Sequence, residues 1–81
     1  MAESFNVQVL EVGQDGIQSL QFHLMDIDSG REYILSNCHR ANNFNYPSIF
    51  DGNLMVSNQV YSASLCLNDD MKTGMLNIRN L

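Results

Sequence analysis

The sequence predicts an all-β domain: a small antiparallel barrel or curved sheet of five strands, six if Leu54-Met55-Val56 pairs separately, laid out in an OB-like manner. Three observations predict it. Apolar and polar residues alternate with a period of two in short runs, the pattern of half-buried strands. The five glycines, Gly13, Gly16, Gly30, Gly52 and Gly74, stand among polar turn formers and read as turn positions. The best window for a helix, residues 38–51, is interrupted by Pro47 and weakened by three asparagines.

The elements follow in order. Residues 5–12, FNVQVLEV, place Phe5, Val7 and Val9 on one face and Asn6 and Gln8 on the other. Residues 17–27, IQSLQFHLMDI, alternate Leu20, Phe22 and Leu24 with Gln21 and His23. The stretch Asp26 to Arg31, with Gly30 inside it, predicts a tight hairpin with a glycine bulge, and REYIL at 31–35 returns as the third strand. From Ser36 to Asn53 the alternation lapses, which predicts a long loop between strands 3 and 4 with one helical turn around Ser48 to Asp51. Residues 59–68 restore the period with Tyr61, Ala63, Leu65 and Leu67 on one face. The polar stretch Asn68 to Thr73 turns the chain, and GMLNIRNL at 74–81 closes it with Leu76 and Ile78 on one face. Three strands, a variable insert and a terminal hairpin are the layout behind the OB-like expectation.

Length and composition bound the rest. Eighty-one residues make one domain, 1–81, with a small core. A hydrophobic share of 44% with 16% charged residues excludes a charge-rich disordered tail. Nine acids against four bases leave a net charge of −5, which opposes sequence-blind binding to a duplex backbone, where lysine and arginine must displace counterions. No apolar run approaches the ~20 residues a membrane span needs, and the first residues lack the basic and apolar regions of a secretory signal. Two cysteines are too few for the disulfide framework of a small secreted domain, so Cys38 and Cys66 read as thiols in a reducing cytoplasm.

Reactive constellations are absent from the sequence. His23, Cys38, His39 and Cys66 match the count for zinc, but not the paired spacing that lets one turn present two ligands. Asp26-x-Asp28-x-Gly30 opens like a calcium loop, yet Asn37 stands where the distal glutamate would be, and a hairpin turn explains the pair. Cys38 has His39 beside it but no third group to orient a base, and Cys66, between Leu65 and Leu67, reads as a small apolar strand residue. The expectation is a chain that is not an enzyme and takes no metal or cofactor.

Binding residues are sought in the 36–53 stretch, which holds three of the seven aromatic residues among adaptable amides. The candidates are Arg40, Phe44, Tyr46 and Phe50, with Asp69 and Asp70 on the terminal hairpin turn as a second choice. The competing reading has the rings plugging an end of the barrel, favoured for Phe50 and evenly balanced for Phe44 and Tyr46. Two functions follow. The first is an acidic protein-binding module, an inhibitor, immunity or accessory protein of the kind phages and mobile elements carry, which occupies the surface of a basic partner. The alternative is an OB-like single-stranded nucleic-acid binder, with bases on Phe44, Tyr46 or Tyr33 and phosphates on Arg31, Arg40, Lys72 and Arg79. A homodimer through the C-terminal strand, with Met75, Leu76, Ile78 and Leu81, is expected under either.

Overall fold

The computed structural model describes residues 3–41 and 48–79. They form six strands: β1 (Glu3–Gln14), β2 (Leu20–Asp26), β3 (Glu32–Arg40), β4 (Ile49–Val56), β5 (Gln59–Leu67) and β6 (Thr73–Ile78). Each strand pairs antiparallel with the next in the chain, and β6 pairs back onto β1, closing a barrel. The described residues include no helix, and so none long and apolar enough to cross a membrane.

Alternation builds the wall, because side chains one residue apart leave opposite faces of a strand. Val7, Leu24, Leu35, Leu54, Leu65, Leu76 and Ile78 are inward and fully buried. Each contributes about 1.5–3 kcal/mol by leaving water. Phe5, Val9, Leu20, Tyr33, Val56 and Tyr61 pack against this core from its margins.

Closure fixes the order of neighbours. The barrel is a sequential meander, so the OB-like layout, a Greek key in which strand order departs from chain order, gives way to an up-and-down one. The sixth strand is β4, and it reaches well beyond Leu54 to Val56: it begins at Ile49. The expected loop from Ser36 to Asn53 is therefore mostly strand, with β3 running to Arg40 and no helical turn at Ile49–Asp51. A bulge explains the misreading. Between Ser36 and His39 the register shifts, and Asn37 takes a φ of 53°. Leu35 and Cys38 both point inward although three positions separate them. One extra residue breaks the period of two while the strand goes on.

Three glycine assignments change as well: Gly13 lies inside β1, opposite Gln21 of β2. Gly52 and Gly74 lie inside β4 and β6 and face a crowded interior. A Cβ on Gly52 would stand 2.7 Å from both Cys38 Sγ and the Ser36 carbonyl oxygen, and one on Gly74 would run into the Cys66 carbonyl. Gly52 pairs with Ala63, so small residues meet where the narrow barrel leaves no volume. Gly30 does mark a turn, at φ 76°. The β4–β5 turn needs no glycine: Ser57 and Asn58, at φ 51° and 67°, make a two-residue hairpin with both central residues left-handed.

Candidate functional site

In a meander, the starts of odd strands and the ends of even strands share one end of the barrel. The opposite end collects the β1–β2, β3–β4 and β5–β6 connections. The two ends are built differently.

The second end is filled. Phe50 is buried on β4, and its ring lies 5.0 Å from that of Phe22, tilted by 54°. The Arg40 guanidinium stands 5.2 Å from the centre of the Phe50 ring, a cation–π contact. Cys38 is buried beside them, its thiol donating to the Leu35 carbonyl at 3.4 Å. Burial, helped by the charges of Asp15 and Asp51, pushes this thiol up to about 12, so it is inert. Asp15 ties the β1–β2 connection to the bulge: its carboxylate accepts the Asn37 N–H at 2.7 Å and the Ser19 hydroxyl at 2.7 Å. Those bonds, the Asn37 one first, hold its pKa below the ordinary value.

The sequence candidates sort accordingly. Arg40 and Phe50 meet, but Phe50 is a plug rather than a contact residue. Phe44 and Tyr46 lie outside the described residues. Asp69 and Asp70 sit in the exposed β5–β6 turn, where Asp70 has an internal task. Its carboxylate accepts the N–H of Lys72 at 2.8 Å, the N–H of Thr73 at 3.0 Å and the Thr73 hydroxyl, which lower its pKa. The four bases are dispersed. Arg31 is at the first end, Lys72 in the β5–β6 turn, Arg40 over Phe50, and Arg79 on the outer wall, paired with Asp51 at 2.9 Å and with Ser64.

The first end is open. A cleft of about 310 Å³ lies in the barrel mouth, lined by Phe5, Tyr33, Val56 and Ile78, with Glu3, Asp26, Ser29 and Arg31 around them. Phe5 and Tyr33 stand 6.0 Å apart at 31° and form an aromatic wall. Asp26 closes the adjoining β2–β3 turn, accepting the N–H of Asp28 at 2.9 Å. Glu32, at the start of β3, holds His23 Nε2 at 2.6 Å on the outer face. The β4–β5 hairpin stands beside the mouth with Met55 and Val60 largely exposed. The cleft sets an apolar floor beneath a few polar groups, an arrangement with room for a ligand group. Among the described residues, no three His, Cys, Asp or Glu side chains gather closely enough to hold a metal ion.

Sequence reasoning missed this set, apart from Tyr33 as a stacking candidate and Arg31 as a phosphate contact in the nucleic-acid alternative. The usable signal was positional: Phe5 and Tyr33 are early inward residues of odd strands, while Val56 and Ile78 are late inward residues of even ones. Only a meander brings them together. The chain was compared with protein-family models, curated proteins and solved structures, and it matches none of them.

Proposed function

We propose that this chain is a non-catalytic protein-binding module that occupies a surface of a basic partner through the open end of its barrel. The cleft carries the reading. Its aromatic wall of Phe5 and Tyr33 and its floor of Val56 and Ile78 are shaped to take one apolar or aromatic anchor side chain. Of the charged residues that line it, Glu3 and Asp26 are acids against Arg31, on a chain of net charge −5. Such a rim favours an anchor set among lysines and arginines and speeds encounter with it. Met55 and Val60 extend the contact area. Inhibitors, immunity factors and accessory subunits carried by phages and mobile elements work in this way, by blocking rather than by chemistry. The free thiols of Cys38 and Cys66 support a reducing, cytoplasmic setting.

The test is affinity capture from host lysate with the native chain and with Tyr33→Ala, followed by affinity measurement on the captured protein. A basic protein should be retained by the native chain. Its affinity should fall about 30-fold with Tyr33→Ala, the effect of truncating one anchor contact worth about 2 kcal/mol. Retention that ignores Tyr33→Ala sinks the cleft as the site. Fluorescence anisotropy with a labelled single strand across a salt series covers the nucleic-acid reading. Tight, salt-sensitive binding there, with no protein captured, replaces the proposal.

A further inference from the structure

The open cleft holds one side chain whose hydrogen-bonding capacity the fold leaves half used. Asp26 ends β2 with the inward parity of Phe22 and Leu24, so its carboxylate stands inside the barrel mouth rather than on the outer wall. It is only 5% exposed. Its Oδ1 is taken by the β2–β3 turn, accepting the N–H of Asp28 at 2.9 Å and the N–H of Ser29 at 3.4 Å. Its Oδ2 accepts nothing among the described residues, yet it is not sealed away, since every enclosed side-chain nitrogen or oxygen among them has a partner. The outlet is the cleft, which Asp26 lines together with Phe5, Tyr33, Val56 and Ile78. An acceptor deep in an apolar mouth is costly to cover unless the group that covers it donates a hydrogen bond.

We infer that the cleft selects an aromatic group carrying a hydrogen-bond donor, the indole of a tryptophan or the phenol of a tyrosine, and that Asp26 does the selecting. This rests on the reading of the cleft as the contact site and narrows its anchor. The rings of Phe5 and Tyr33, tilted by 31° to each other, offer a face and an edge against which a flat group packs. Val56 and Ile78 add apolar contact. Oδ2 of Asp26 then accepts the N–H or O–H at the rim of the incoming ring, and a carboxylate acceptor makes that bond a strong one. Arg31 makes a neutral donor the better match. It lines the same cleft, so an entering cation meets a like charge that a neutral ring does not. A phenylalanine or leucine would fill the same space but strand Oδ2 with neither water nor partner, and that penalty is what discriminates.

Titration of the native chain with indole and with benzothiophene, which has the same shape and no donor, tests this, with backbone amide shifts as the readout. Both should move the amides of Phe5, Tyr33, Val56 and Ile78, and indole should bind about tenfold tighter, the worth of one hydrogen bond to a charged group. Asp26→Asn keeps an oxygen for the turn and puts an N–H donor in place of Oδ2. It should bring indole down to the level of benzothiophene and leave benzothiophene unchanged, with the Asp28 and Ser29 amides reporting that the turn persists. Equal binding of the two rings by the native chain overturns the inference, and that comparison needs no variant. So does tighter binding of propylguanidinium, which makes the anchor a cation, or an indole preference that Asp26→Asn spares, or silence at the mouth with every probe. Each of these leaves the contact-site reading to the Tyr33→Ala capture. Conversely, capture that ignores Tyr33→Ala removes that reading, while an indole preference still assigns the cleft its ligand class.

Discussion

The two ends of the barrel use the same materials to opposite purposes. At one, the Phe22–Phe50 pair fills the opening under Arg40, while Asp15 and Asp70 bind the connections with backbone hydrogen bonds. At the other, the Phe5–Tyr33 pair lines a cleft instead of filling it, with Glu3, Asp26 and Arg31 around it. Ring separations differ by only 1 Å, 5.0 against 6.0 Å, but burial differs more: Phe50 is 4% exposed, while Phe5 and Tyr33 are half-buried. The lesson is a division of labour. Stability is concentrated where the barrel is filled, and contact area is kept where it is not.

The largest expected effect sets the rings against each other. Phe50→Ala should cost about 3–5 kcal/mol in urea unfolding, the usual penalty for emptying a buried aromatic site. Tyr33→Ala should cost about 1 kcal/mol, since its ring already borders open space. Equal losses would erase the distinction between the ends. Glycines offer a second contrast. Gly74→Ala drives a methyl group into the Cys66 backbone and should cost about 1–3 kcal/mol. Gly30→Ala, in the open-end turn, meets nothing within 4 Å and is charged only for its φ of 76°, about 1–2 kcal/mol.

Alkali probes the filled end through Cys38. The unfolded thiol ionises near 9.0 and the folded one near 12, so between those values the unfolded state sheds a proton that the native state keeps. Stability should therefore fall as pH rises across that window, and Cys38→Ser or Cys38→Ala should remove this part of the slope. A thiol reagent at neutral pH should label the half-buried Cys66 in the native protein and Cys38 only on unfolding. Rapid native labelling at both would show that the filled end opens.

Acid gives the smallest effect. Asp15 and Asp70 have pKa values held below the ordinary 3.8, so their contribution is complete above that value and is lost as pH falls through their lower folded values. Asp70→Asn should flatten the acid limb of the stability curve slightly. An unchanged limb would mean that its hydrogen bonds in the turn leave no net preference for the ionised form.

Much of the fold was legible before any coordinates. The inward faces of β1, β2, β5 and β6, and the Gly30 hairpin, follow from alternation and turn chemistry, which act over a few residues. The β3–β4 region was not. The bulge at Asn37 shifts the period, and Ser57-Asn58 turns the chain without glycine, so the strands around them resembled a loop. Of the candidate site, Tyr33 was visible as an aromatic residue, but its partners were not, because nothing local links Phe5 to Val56 or Ile78.

By itself, the sequence determined that this chain is built of strands, which side chains each readable strand turns inward, and that the exterior is anionic. Those properties depend on residue type and on a spacing of two. Tertiary structure alone decided that β6 returns to β1, that Gly52 and Gly74 serve as space rather than as turns, and that Phe50 is a plug while Phe5 and Tyr33 frame a mouth. The reason is geometric: closing six strands into a ring sets interior volume and strand ends together, and neither quantity exists until the last strand meets the first.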